Sequence, residues 1–243
     1  DVLVLAQLSA DRRRLTLVSV PRDCYVPLAG GAHGKVNAAL SEHGTEGLVR
    51  TVSDLFGGLP IAYAAQTNFT DFVTLCRRFD GFRVRNRVAS QVTSDVTHEV
   101  TRFPAGELQL HGADWLIYAR QRHGLPHGDF DRGERHRAIL TGLLQQAKGA
   151  SASGPAAIAA LIRDAAACVR LRGLTPRAAV GLASALGKLD AGAITSLRVP
   201  TANSGTVGDV VDAVFVDERA LAELAAGLRA GDVTAYLRAH PAQ

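Results

Sequence analysis

The sequence of 243 residues contains no methionine, only three cysteines and only three lysines among its 27 basic residues. The cysteines, Cys24, Cys76 and Cys168, lack the close spacing of metal-binding thiols, so no zinc site is indicated. No apolar run approaches the ~18 residues that span a bilayer, which excludes a transmembrane helix within these residues. Because the sequence opens directly within an apolar run, we expect an excised domain, truncated at its N-terminus.

What the sequence does contain is typical of a globular protein, with 47% hydrophobic residues spread along the chain. Apolar runs at residues 2–8 and 15–20 predict a hairpin, and later runs of both strand and helix periodicity alternate. The pattern predicts one domain over residues 1–243, with a three-layer mixed α/β fold. Helices are expected at residues 37–40, 45–56, 70–79, 111–119, from 131 onward, 156–169, 176–189 and 220–228, and strands at 61–67, 82–88, 169–171, 194–199 and 213–216. Loops are expected at residues 21–34 and 89–106, and a flexible connection at 149–155.

The first candidate site follows the second predicted strand. Arg22 and Asp23 lie just past the strand end, where open α/β sheets bind ligands, and Lys35 falls at a predicted helix start that favours an anion. The alternative is a surface loop in which Arg22 and Asp23 pair with each other.

The second candidate site is a basic segment around residues 118–136. Arg120 and Arg122 are two residues apart, while Arg132, Arg135 and His136 share one face of a predicted helix. Such a cluster suits a multivalent anion, because arginine binds phosphate through paired donors. The alternative is a solvated basic face balanced by Asp129, Asp131 and Glu134, in which Asp131 is the helix cap and forms a capping box with Glu134. Nucleic acid is not the expected polyanion, since no known nucleic-acid motif is present.

Several motifs occur in an order that resembles the LytR-CpsA-Psr family. The resemblance covers at least residues 1–146 and is carried by the segments Ser-Val-Pro-Arg-Asp at 19–23, Gly-Lys-Val-Asn-Ala-Ala at 34–39, Asn-Phe-Thr-Asp-Phe at 68–72, Leu-Gln-Leu-His-Gly at 108–112, Tyr-Ala-Arg-Gln-Arg at 118–122 and Arg-Gly-Glu-Arg at 132–135.

This resemblance implies a phosphotransferase at the extracytoplasmic face of the bacterial cell membrane, held there by a missing N-terminal anchor. It would transfer a glycan phosphate from a polyprenyl-pyrophosphate-linked glycopolymer to a peptidoglycan sugar hydroxyl, with a pyrophosphatase side activity. The implied fold is a central mixed sheet flanked by helices around an apolar pocket for the lipid tail. The implied pyrophosphate contacts are Arg22, Lys35, Arg120, Arg122, Arg132, Arg135 and His136.

The resemblance also implies a metal and a catalytic set. Asp1 would bind Mg²⁺ together with a second ligand upstream of this chain. The catalytic residues would be Arg22, Asp23, Arg120, Arg122 and Asp129. A carboxylate is needed near the acceptor hydroxyl, and Asp129 and Asp23 are both candidates.

The sequence departs from the family pattern at His136, where Gln is common, at Cys24, which replaces a usual Thr, and at Asp80-Gly81, which replaces Gly-Gly. An exported location would permit a disulfide, with Cys76 and Cys168 as the expected pair. The alternative function is a non-catalytic binder of polyprenyl pyrophosphate or of another polyanion.

Overall fold

A computed structural model describes residues 2–78, 81–94, 98–112, 114–121, 123–126, 128–190 and 192–241. The chain forms two compact units, one built from Asp1–Ala64 with Asp190–Gln243 and the other from Ala65–Leu189. The elements in chain order are β1 (Leu3–Leu8), β2 (Leu15–Val20), β3 (Tyr25–Pro27), β4 (His33–Lys35), α1 (Ala38–Leu55), β5 (Ala64–Gln66), α2 (Phe69–Arg78), β6 (Phe82–Asn86), β7 (Ser90–Thr93), β8 (Val100–Phe103), β9 (Gly106–Leu110), α3 (Asp114–Arg120), α4 (Asp129–Ala152), α5 (Pro155–Cys168), β10 (Arg170–Arg172), α6 (Pro176–Gly187), β11 (Ile194–Arg198), β12 (Thr201–Val207), β13 (Val210–Val216), α7 (Glu218–Ala230) and α8 (Thr234–Ala239).

The first unit is organised around a mixed sheet in the order β1-β2-β11. β1 and β2 pair antiparallel, as the apolar hairpin predicted, and β11 pairs parallel to β2. All six residues of β2 are buried because the strand lies between two neighbours, which explains its continuous apolar run. α7 packs its apolar face into this core, begins at the cap Asp217 and ends at Gly231, whose φ of 71° suits glycine.

The second unit combines helices with short antiparallel strand pairs. β6 pairs with β9 and β7 pairs with β8. Its core cluster contains Trp115 and Tyr118 from α3 together with Ile139 from α4. The predicted mixed α/β class is therefore confirmed, while the lipid pocket and the single domain over residues 1–243 stay predictions.

Two expected loops are partly strand, and one further strand was not expected. Residues 21–34 contain β3 and most of β4, residues 89–106 contain β7 and β8, and β12 precedes the predicted strand at β13. These strands carry few buried residues, since β7 has none that is fully buried and β12 is exposed along most of its length. Apolar alternation therefore could not reveal them.

The start of α4 differs from the prediction. The helix begins at Asp129, and its first turn closes with the hydrogen bond from Arg132 N to Gly128 O at 3.1 Å. Asp131 thus lies inside the first turn and is 8% exposed, so its predicted role as the cap is wrong. The expected flexible connection is also shorter, because α4 continues to Ala152 and the break falls at Gly154, whose φ is 102°.

Within the described residues, none of the helices has the length and hydropathy that a bilayer-crossing segment requires.

Candidate functional site

In the first unit, a single carboxylate holds the two predicted cations. Asp23 Oδ1 lies 2.9 Å from Lys35 Nζ, and Asp23 Oδ2 lies 3.5 Å from Arg22 Nε. The three side chains are 22–32% exposed, so the cluster is accessible to a solute. The pairing of Arg22 with Asp23, kept as the alternative in the sequence, is present, yet it leaves the terminal guanidinium nitrogens of Arg22 without a hydrogen bond to any described residue.

Backbone hydrogen bonds fix this cluster locally. Asn37 N donates to Arg22 O at 3.2 Å and Val36 N donates to Cys24 O at 2.8 Å, which joins the segment after β2 to the segment after β4. Lys35 lies in β4, three residues before α1 begins, so its predicted place at a helix start is wrong.

The start of α1 adds a second anion-favouring feature to the same unit. Asn37 makes no side-chain cap hydrogen bond, and the first turn contains no acidic residue, so neither neutralises the positive end of the helix dipole. An open cavity of about 450 Å³ lies here, lined by Asn37, Ala38, Leu40 and Ser41.

In the second unit, the predicted basic face is largely buried. Arg120 ends α3 and is exposed, but Arg132 is 8% exposed and Arg135 is 3% exposed. The alternative of a solvated basic face is therefore wrong for α4. Arg122 lies outside the described residues, and Asp129 is described only as the first residue of α4.

Arg135 is held by neutral groups from three elements. Its Nη1 donates to Gln121 Oε1 at 2.6 Å and to Tyr118 O at 3.4 Å, and its Nη2 donates to Ser90 Oγ at 2.5 Å. The guanidinium carbon lies 4.3 Å from the ring centre of Tyr118 and 5.5 Å from that of Phe103. Burial lowers the pKa of Arg135, and this effect outweighs the opposite influence of Tyr118 and of the nearby Asp131.

A buried asparagine extends this network. Asn86 Nδ2 donates to the backbone oxygens of Val88, Phe103 and Pro104 at 2.8–3.1 Å, and Tyr118 Oη donates to Asn86 Oδ1 at 3.1 Å. Burial raises the pKa of Tyr118 to about 12, so the phenol stays protonated as this bond requires. His136 also contacts α3, through Nε2 and the carbonyl oxygen of Ala119 at 2.7 Å.

The structure thus brings Arg22, Asp23 and Lys35 together in one unit and Arg135, His136 and the end of α3 together in the other. Sequence reasoning assigned no role to Ser90, Asn86 or Gln121. Only Gln121 had a detectable signal, because it stands between the two arginines of the Tyr-Ala-Arg-Gln-Arg segment.

Asp1, the predicted magnesium ligand, lies outside the described residues. Among the residues that are described, no three or more His, Cys, Asp or Glu side chains form a group that could hold a metal ion.

The three cysteines carry free thiols and are buried, so the expected Cys76–Cys168 disulfide is absent. The two lie near enough for Cys168 to influence Cys76, but burial is the main reason that the pKa of Cys76 is raised to about 12.

Comparison with known proteins decides the family. The model of the LytR_cpsA_psr family matches residues 1–229. The chain belongs to this family. The match includes every predicted pyrophosphate-binding residue, from Arg22 to His136.

Relatives in the family are named as cell-wall enzymes. The chain is 33% identical over 155 residues to the polyisoprenyl-teichoic acid–peptidoglycan teichoic acid transferase TagV of Bacillus subtilis, covering 62% of this chain and 39% of TagV. It is 28% identical over 243 residues to the cell wall biosynthesis protein LcpA of Corynebacterium glutamicum, covering 88% of this chain and 45% of LcpA. The matched region is thus less than half the length of either relative.

Solved structures have folds similar to that of this chain. The crystal structure of Bacillus subtilis TagV superposes with a TM-score of 0.81 at 26% identity, covering 95% of this chain and 88% of TagV. A structure described as TagT bound to LI-WTA has a TM-score of 0.74 at 21% identity, covering 95% of this chain and 84% of TagT, and shows the likeness of the fold.

Proposed function

We propose that this chain is the catalytic part of an enzyme that transfers a glycan phosphate from a polyprenyl-pyrophosphate-linked glycopolymer to a peptidoglycan sugar hydroxyl. The observation that carries the proposal is the family match over residues 1–229, which contains both cationic clusters. The relatives TagU and TagV, whose names state transfer of teichoic acid from a polyisoprenyl carrier to peptidoglycan, support the substrate class.

The reaction requires cations that bind the negative charge that develops on the phosphate oxygens. The acceptor hydroxyl attacks the phosphorus that carries the glycan, its new O–P bond forms, and the bridging P–O bond breaks to release polyprenyl phosphate. Negative charge builds on the equatorial oxygens during attack, so fixed donors lower the barrier when they bind that charge more tightly than the ground state. The proposed donors are cations that the family resemblance implies, namely Arg22, Lys35, Arg120, Arg122 and Arg132.

The hydroxyl proton needs an acceptor. Both carboxylate oxygens of Asp23 already face cations, Oδ1 facing Lys35 and Oδ2 facing Arg22. That arrangement suits Asp23 to orient these two side chains. We therefore assign proton acceptance or hydroxyl orientation to Asp129, the other candidate carboxylate.

The remaining parts of the proposal concern the whole protein. Mg²⁺ bound by Asp1 and a ligand upstream would supply further positive charge to the phosphate oxygens. The relatives' roles in wall assembly support a location in the cell envelope, which we place at the extracytoplasmic face of the membrane, with an N-terminal anchor. Water in place of the acceptor would give the pyrophosphatase side activity.

The test supplies a short-chain polyprenyl-pyrophosphate glycan and a soluble peptidoglycan fragment, and measures both the phosphodiester product and released polyprenyl phosphate. This chain and a version extended upstream are assayed with Mg²⁺ and with EDTA. We expect transfer that EDTA abolishes, and equal amounts of the two products.

The other outcomes of this assay would each lead to a different conclusion. Transfer only by the extended version would assign the missing metal ligand to the upstream segment. Release without transfer would indicate a pyrophosphatase. Tight binding of the polyprenyl pyrophosphate without turnover by either version would overturn the proposal in favour of a non-catalytic binder.

A further inference from the structure

Arg135 differs from Arg22 and Lys35, whose side chains face the carboxylate of Asp23, in where its donors go. It is 3% exposed, and both terminal nitrogens donate to groups of the same unit, namely Gln121 Oε1, Tyr118 O and Ser90 Oγ. A guanidinium whose fork is directed at uncharged protein oxygens and whose face lies on Tyr118 has little capacity left for a phosphate.

The partners of Arg135 lie in the segment that bears Arg120 and Arg122. Tyr118 lies in the last turn of α3, and Gln121 directly follows the helix. Both accept a hydrogen bond from Arg135, and Gln121 Oε1 accepts a second one, from Ser90 Oγ at 2.9 Å. The Gln121 amide in turn donates from Nε2 to Gln91 O at 3.1 Å and to His123 O at 3.0 Å. The residues on both sides of position 122 are thereby tied to the network.

We infer that Arg135 is a positioning residue: it locks Gln121, and through Gln121 it fixes the backbone that presents Arg120 and Arg122, rather than contacting the pyrophosphate itself. The inference rests on the proposed function for the role of Arg120 and Arg122. The locking itself is a property of the free protein.

A cation suits this task better than a neutral donor. Gln121 Oε1 receives a charge-assisted hydrogen bond, which is stronger than one between neutral groups, and the planar fork reaches Gln121 and Ser90 at once. Lysine would keep the charge but would lack both the fork and the flat face that lies on Tyr118.

The first test measures amide hydrogen exchange of the substrate-free protein by mass spectrometry, so it needs no activity. Arg135→Met, Arg135→Lys and Gln121→Ala are compared with wild type, and Arg177→Met, at an exposed position of α6, is the matched control. We expect exchange over residues 118–124 to rise at least ten-fold in all three variants and to stay unchanged in the control. Unchanged exchange in folded Arg135→Met would overturn the inference.

The second test separates positioning from direct contact in the transfer assay. If Arg135 acts through Gln121, then Arg135→Met and Gln121→Ala should each lower kcat by 10- to 100-fold, and the double variant should be no slower than the slower single variant. Arg135→Lys should be as slow as Arg135→Met. Multiplicative losses, or recovery by Arg135→Lys of affinity for inorganic pyrophosphate that Arg135→Met had lost, would assign a direct phosphate contact instead.

The exchange result is independent of the proposed function. Absence of turnover by both this chain and its extended version would defeat the proposed function and leave the exchange result to decide the locking of Gln121. If Arg135→Met fails to fold, as judged by fluorescence of the buried Trp115, then Ser90→Ala and Gln121→Ala carry the exchange test. Each removes one of the side-chain acceptors of Arg135 and keeps its other acceptors in place.

Discussion

The Asp23 cluster of the first unit and the surroundings of Arg135 in the second hold their cations in opposite ways. In the first, Arg22 and Lys35 share the carboxylate of Asp23 at a site that is 22–32% exposed. In the second, Arg135 is buried and contacts neutral oxygens and aromatic rings. Partly exposed ion pairs contribute little to stability, whereas buried polar groups are costly when a partner is removed. The first arrangement therefore suits charge that a ligand can use, and the second suits charge that fixes the protein.

The largest effect that this comparison predicts is on activity in the first unit. Arg22→Ala should lower kcat/KM for transfer by about 100-fold, because it removes a charged donor from the transition state. The melting temperature should change little, since the lost ion pair is partly exposed. Steady-state transfer assays and thermal melts of the same samples measure the two effects.

Arg13→Ala is the matched control, because Arg13 also makes a single long ion pair, 4.0 Å from Asp190, and is 65% exposed. It should retain wild-type activity. A large fall in the melting temperature of Arg22→Ala would break the comparison by showing that the first cluster is structural.

A smaller effect, on stability, is predicted for the second unit. Asn86→Ala removes the side-chain donor to one buried and two partly buried backbone bonds and the acceptor of the buried Tyr118 hydroxyl, which should lower the free energy of unfolding by about 2 kcal/mol. Trp115 is the single tryptophan of the chain and is buried in this unit, so its fluorescence during denaturant unfolding reports the change.

Asn203→Ala, at an exposed position of β12, is the control and should unfold like wild type. An equal loss of unfolding free energy in both variants would mean that the hydrogen bonds of Asn86 stabilise the protein no more than an exposed asparagine does.

The helices and strands that could be predicted from the sequence are those with many buried residues. The β1–β2 hairpin and the long helices were predictable because buried apolar residues recur along them, as in fully buried β2. The strands β3, β7, β8 and β12 were not, since their residues are mostly exposed or polar and their pairing depends on partners elsewhere in the chain.

The candidate site shows the same limit. Motif order located the arginines, and the family resemblance implied that all of them contact the pyrophosphate. Residue type cannot tell an arginine that faces solvent from one that faces Gln121 and Ser90, because that choice is made by tertiary packing. The same limit applies to Asp131. It has the capping-box spacing to Glu134, but α4 starts two residues before it, at Asp129.

The smallest predicted effect concerns pH and sharpens the contrast between charged and neutral partners. In the first unit, Asp232 accepts hydrogen bonds from the hydroxyl and backbone N–H of Thr234 and pairs with Arg14 at 3.2 Å, and together these lower its pKa from 3.8 to about 2. A carboxylate with a lowered pKa in the folded state stabilises the protein above pH 3.8, and this contribution is lost as the pH falls through 2.

Asp232→Asn should therefore melt slightly below wild type at pH 6, with the difference shrinking at pH 3.5 and pH 3, because Asp232 takes up a proton in the unfolded chain at a higher pH than in the folded protein. Asp190→Asn is the control, since its pair with Arg13 is longer, at 4.0 Å. The deficit of Asn86→Ala should stay constant over this pH range, because the carbonyl oxygens and the phenol that it leaves unpaired do not titrate there. A deficit of Asp232→Asn that is equally constant would show that the hydrogen-bonding geometry of the side chain, and not its charge, stabilises the first unit at this point.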